Sequence, residues 1–388
     1  MTHRRFFDEA YTPEYWRANL ANLLCLGGAA TLVLLPLYMQ QRGMLRWEIG
    51  LVAAGFSLAS VAVRTVLGRW MDSRGRRSFY LAGAFLLGGS TALYLQVPVC
   101  LVSLGVLRAI QGVAMALYFT AIWTWVADRA PPGRLAELLG MFGISGLVSG
   151  GLGPLLGELA LAQAGFPGVF AVGCGLTLAG ALIVWTLPDT AGEVASPGSG
   201  FWSLAATAAM RSVLLSSLFF GFGLGAFFTF VAPHLHGSGL GGLLALYTVV
   251  AVGVRLFAGK TADRIGAVRV ILPALLIQGA GLALLSVVEV PGMLLAVGLL
   301  SGGSHGMIYP ALSALTVQRS VASRGTGFSL FTAAVDLGVL LGAAIPGVLA
   351  HHLGYHAMYA LVGISVLAAG MGFAALEPRS IGLRLMRA

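Results

Sequence analysis

Charge is what this sequence has least of. Only 10% of its 388 residues are Asp, Glu, Lys or Arg, where soluble domains carry about 25%. With 58% hydrophobic residues and a mean hydropathy of +0.89, water is not the main solvent of the folded chain. The net charge is +9, but no Lys/Arg-rich tract sits in polar sequence, so a nucleic-acid partner is excluded. Cys25, Cys100 and Cys174 stand alone in apolar stretches, without metal or redox spacing, and neither cofactor nor metal is expected. No cleavable leader is apparent, because residues up to Trp16 are polar and aromatic and the next apolar run is long enough to span. The acids are scattered, which speaks against a membrane enzyme, and no loop is long enough for a receptor's output domain.

Glycine and long apolar runs are what the chain has instead. Its 55 glycines are about twice the usual ~7% share, as suits helices that must approach closely in lipid. Runs of the ~20 apolar residues that cross a bilayer lie near 18–40, 47–70, 78–97, 100–127, 135–162 and 167–187. Six more lie near 211–235, 240–262, 268–288, 291–318, 325–351 and 355–376. A polar stretch from Asp189 to Gly200 separates the two sets. The expectation is an all-α membrane protein of twelve transmembrane helices, with bundles at 1–188 and 205–388 joined by a linker at 189–204.

Twelve spans put both ends of the chain on one side. Placing that side in the cytoplasm puts eighteen of the 23 Lys/Arg there or at adjoining helix ends, as cytoplasmic loops require. Only Arg42 and Arg46 fall outside, and Arg64, Arg108 and Arg255 fall within spans. Most histidines, His234, His236, His351, His352 and His356, fall on the other face, where solvated polar anchors are preferred to a metal site.

The halves repeat. Arg64, Gly68, Arg69, Asp72 and Gly75 at the end of span two recur as Arg255, Gly259, Lys260, Asp263 and Gly266, at a constant offset of 191. The same offset carries Gly112 onto Gly303 and Tyr118 onto Tyr309. Two six-helix bundles in parallel repeat form a transporter architecture. In each loop a carboxylate stands among basic residues, where it can dock on the positive end of a facing helix.

The loop from Gly68 to Arg77 resembles the signature loop of the major facilitator superfamily, glycine-x-x-x-aspartate-arginine-x-glycine-arginine-arginine. Gly68, Asp72, Gly75, Arg76 and Arg77 match it; Ser73 stands where the family has arginine, with Arg74 next door. The second copy keeps Gly259, Asp263 and Arg264 but lacks the trailing basic pair. The resemblance implies that these residues form a cytoplasmic gate that latches the bundles together when the outer side is open. Arg108, Gln111 and Gly112 resemble a second family motif, whose arginine is associated with proton coupling; a structural hydrogen-bonding role is the alternative. Gly140, Ser149, Gly153, Pro154 and Gly157 resemble the family's antiporter motif, with Ser149 and Glu158 in place of glycines.

Intramembrane ionisable groups are candidates for function. His305 and Asp336 have no counterpart in the first half and are favoured for coupling. The family fold suggests His305 as a partner for Asp336, with Arg108 facing it across the cavity. Arg64 and Arg255, being repeated, read as structural. The candidate cavity and coupling set is thus Arg108, Gln111, Tyr118, Glu158, His305, Tyr309 and Asp336. Of the aromatics Tyr118, Trp123, Phe227, Phe228 and Tyr309, packing is the commoner role for any one. The resemblance implies a monomeric secondary transporter of a small organic solute in a bacterial inner membrane. It points to protons as the coupling ion and to efflux by antiport. Uptake by symport of a metabolite or organic anion is the alternative.

Overall fold

The computed structural model describes residues 11–74, 76–129, 131, 135–188, 201–236, 239–288, 291–320 and 324–377. Among them twelve long helices run back and forth, matching the expected spans to within a few residues. They are α1 (Pro13–Gln41), α2 (Arg46–Arg74), α3 (Arg77–Leu95), α4 (Leu101–Asp128), α5 (135–164) and α6 (166–185). The second half holds α7 (Ala208–His234), α8 (Leu240–Ile265), α9 (Ala267–Val287), α10 (Pro291–Arg319), α11 (324–353) and α12 (355–376). The end of the expected linker is a short helix, Phe201–Ala205, and residues 189–200 lie outside the described residues.

Local chemistry explains the boundaries. Thr12 caps α1, its side chain accepting from the Tyr15 amide at 3.2 Å, and Pro13 follows where its missing N–H is no loss. Further on, Pro36 cannot donate to the turn before it, and α1 tightens to 3₁₀ over Thr31–Leu34. The turns between α5 and α6 and between α11 and α12 each hinge on one residue. Gly165 (φ 64°) and Gly354 (φ 82°) take the left-handed region that a side chain resists.

α1 begins and α12 ends on one face, the terminal face; the opposite face is called distal. Apolar packing differs between them. On the distal side a single core joins both halves, running from Leu34, Tyr38 and Phe170 to Phe230, Leu244 and Tyr359. On the terminal side each half has its own core, one around Tyr80, Trp125 and Phe142, the other around Phe220, Ile271 and Phe331. The molecule is sealed distally and divided terminally.

Candidate functional site

Between the halves lies a cavity of about 430 Å³, walled by α1, α2, α4 and α5 on one side and α7 and α11 on the other. Its lining is mostly apolar, with Pro36, Phe56, Met115, Phe228 and Val339 among the contributors. Arg108 and Gln111 from α4 supply its strongest polar groups. Gln111 is pinned: its Oε1 accepts from the Tyr94 hydroxyl at 2.8 Å and from Arg108 Nη1 at 3.0 Å, while its Nε2 donates to Thr91 Oγ1 at 3.2 Å. The Arg108 guanidinium lies 4.6 Å over the Phe56 ring, so its charge is supported by a ring face instead of a carboxylate.

A charged layer forms the terminal-side floor of this cavity, about one helical turn beyond the lining residues Val339 and Gly146. Arg64 on α2 pairs with Asp336 on α11 across the bundles, Nη1 to Oδ2 at 3.1 Å, and each side chain is about a quarter exposed. Arg255 on α8 lies 5.4 Å over the Tyr309 ring and faces α5 at Gly143. Tyr309 is partly buried and packs against Phe331 at 5.2 Å between ring centroids.

The distal seal has its own chemistry. Glu158 on α5 accepts from the Gly241 amide at 2.6 Å, so a carboxylate of the first half caps the N-terminus of α8 in the second. Arg46 on α2 donates to the Ala350 carbonyl at 2.6 Å, near the C-terminus of α11, and its guanidinium sits 4.5 Å over the Tyr355 ring. Each charge meets the helix end of opposite polarity in the other half. Backbones touch beside them. A Cβ at Gly50 would stand 2.5 Å from the Ala343 carbonyl, and one at Gly151 2.5 Å from Thr248 Oγ1.

This geometry places five of the expected site residues outside the cavity lining. Asp336 takes Arg64 as its ionic partner, in place of His305 or Arg108. His305 instead hydrogen-bonds the Tyr247 hydroxyl and packs edge-on against Phe220, inside the second bundle. Tyr118 is buried in the first bundle's core, donating to Asn22 Oδ1 at 3.4 Å, away from the cavity lining. Glu158 belongs to the distal seal and lies apart from the cavity. Arg108 and Gln111 do line the cavity, and Tyr309 with Asp336 lies in its floor. Arg64 and Arg255, expected as structural, form the cations of this floor, and the sequence signal that sets them apart is the offset of 191, which gives Arg64 the acid Asp336 and leaves Ser145 at the matching place in the first half.

Of the terminal-face loop, Arg76 Nε lies 3.3 Å from Asp128 Oδ2 and Arg77 donates to the Trp185 carbonyl at 3.0 Å, both within the first half. Gly75 lies outside the described residues, as do the surroundings of Gly68 and Gly259 and the side chains of Asp72, Arg74, Asp263 and Arg264.

Comparison with known proteins agrees with this architecture. The family model described as Major Facilitator Superfamily matches residues 19–253 and 213–383. An uncharacterized MFS-type transporter of Salmonella typhimurium, STM4428, is 26% identical over 374 residues, covering 90% of this chain and 92% of that protein. Another from Methanocaldococcus jannaschii, MJ1560, is 25% identical over 372 residues, covering 92% and 95%. Among solved structures, the nucleoside transporter NupG aligns with a TM-score of 0.77 at 16% identity, covering 94% of this chain and 99% of that one. The human organic anion transporter MFSD10 aligns with a TM-score of 0.69 at 18% identity, covering 93% and 100%.

Proposed function

The chain belongs to the Major Facilitator Superfamily and is an integral membrane transporter, and from that premise we propose that it carries a small organic solute by proton-coupled alternating access. The observation that carries the coupling is the Arg64–Asp336 pair, which ties α2 to α11 at the floor of the cavity. A carboxylate in low dielectric stays ionised only while a cation or water supports it. Any rocking that moves α2 against α11 therefore changes the affinity of Asp336 for a proton. The terminal face is assigned to the cytoplasm by its excess of Arg and Lys. With one core shared by both halves on the distal side, the described state is closed on the outer face.

Efflux by antiport is the direction favoured by the sequence. The near-match to the antiporter motif supports it, and Gly157 of that motif lies close enough to α1 for a Cβ to meet Leu34 Cδ1 at 3.0 Å. A different observation favours uptake by symport: the cavity and its floor hold Arg64, Arg108 and Arg255 against Asp336 alone among the described residues. An anionic solute entering that field would help Asp336 hold its proton, so solute and proton would travel together. Liposomes enclosing a pH-sensitive dye, challenged with a panel of organic solutes, test the proposal. Solute-dependent proton movement is expected, its sign separates antiport from symport, and Asp336→Asn should abolish it. Full proton movement in Asp336→Asn would reject the coupling role.

A further inference from the structure

The two halves repeat at the floor of the cavity, and the place where the repeat fails is informative. The offset of 191 carries Arg64 onto Arg255, but it carries Asp336 back onto Ser145 (336 − 191 = 145). Arg64 therefore meets an acid on α11, whereas Arg255 meets a serine level on α5. That serine is already engaged, its hydroxyl donating to the Phe142 carbonyl at 2.6 Å and accepting from Asn22 Nδ2 at 2.8 Å. No carboxylate pairs with Arg255 among the described residues, and its Nε is buried without an acceptor.

Two more orphaned donors stand around the same crossing. Arg64 Nε is buried and unbonded despite the ion pair made by its Nη1, and Trp123 Nε1 is buried and unbonded as well. A chain of contacts connects them. Gly143 sits between Trp123 and Arg255, since a Cβ there would stand 3.3 Å from the indole Cη2 and 3.9 Å from Arg255 Nη1. Trp123 packs on Phe119 at 5.2 Å between centroids, and the Arg64 guanidinium lies 6.0 Å from the Phe119 ring. Tyr309 lies beneath Arg255. Among the described residues, three buried N–H donors and two cations thus face a single carboxylate, Asp336, whose Oδ2 makes the ion pair with Arg64 but no hydrogen bond. Burying an unpaired charge and unmet donors is unfavourable, and a purely structural crossing would be more stable without them.

We propose that this cluster is a subsite for an anionic oxygen group, a carboxylate or a phosphate, on the transported solute, with Arg255 as its principal donor. A guanidinium offers two parallel N–H groups that match such an anion, and the indole and Arg64 Nε supply further donors. The apolar cavity one turn away takes the body of the solute, so the ligand is an amphipathic organic anion. Transport of that solute rests on the function proposed above; the anion site itself does not.

Full-length protein in detergent tests it, with thermal unfolding followed while benzoate or inorganic phosphate is added. Benzamide and benzylamine serve as the neutral and cationic counterparts. A saturable rise in Tm with benzoate marks a carboxylate site and one with phosphate a phosphate site, neither being given by the two counterparts. Arg255→Gln should weaken that binding by about tenfold or more, and Arg255→Lys should retain part of it. The surface variant Arg17→Gln should leave it unchanged. Without ligand, Arg255→Met should unfold no earlier than the wild type, because it removes a half-buried charge that has no acid partner among the described residues. No response to either anion, an equal response in Arg255→Gln, or a clearly lower Tm in Arg255→Met overturns the proposal. Because no gradient is involved, these results stand or fall apart from those of the proton-flux experiment.

Discussion

At the scale of single residues, the account turns on which charges are paired. Arg64 and Asp336 are each about 25% exposed, between the surface pairs that contribute little and the buried pairs whose breaking is strongly destabilising. Asp336→Asn is therefore expected to lower stability by about 1–3 kcal/mol, largely by stranding Arg64. The double variant Arg64→Gln/Asp336→Asn should recover most of that loss yet stay uncoupled. Thermal unfolding of both singles and the double checks this, and additive losses would show that the two residues do not act as a pair. Asp336 and Arg108 stand out in the sequence because charge inside a span is conspicuous. Which groups pair does not stand out, since pairing depends on helix rotation: Arg64 turns to α11, and His305 turns inward to Tyr247. The spacing of a motif says nothing of that.

At the scale of helices, the sequence is far more readable. Spans, breaks at Gly165 and Gly354, and the doubling of the halves all follow from apolar length and turn chemistry, which are local. What locality cannot supply is which helix ends meet across the bundles, so the Glu158 and Arg46 contacts were invisible in it. They lead to two predictions. Glu158→Gln keeps the acceptor but removes the charge, and it should loosen the distal seal modestly, by about 0.3–1 kcal/mol. Gly50→Val should do more, since its side chain would press on the backbone of α11 at Ala343 and Gly347. Accessibility of a distal cavity residue such as Met39, replaced by cysteine, to an impermeant thiol reagent measures both. Unaltered accessibility in Gly50→Val would contradict a distal seal made by α2 against α11.

At the scale of the whole molecule, orientation and motion are the claims. The protein carries its own topological probe in Cys100, exposed in the turn between α3 and α4 on the distal side. The Ser103 hydroxyl holds the Cys100 thiol below its ordinary range, so more reactive thiolate is present near neutral pH. Intact cells should label with an impermeant maleimide, and Cys100→Ser should lose the label; labelling only after permeabilisation would reverse the topology. Motion is the central claim: one apolar core joins the halves distally while two separate cores face the terminal side, and the function requires this asymmetry to invert. Spin-label distances test that most directly, in a cysteine-free background with one terminal pair at Ser78 and Arg211 and one distal pair at Arg42 and His352. Between roughly pH 5 and pH 8 the two distances should change in opposite senses, one face closing as the other opens, and Asp336→Asn should remove the pH response. Distances that stay fixed, that move together, or that respond to pH equally in Asp336→Asn would contradict proton-coupled alternating access.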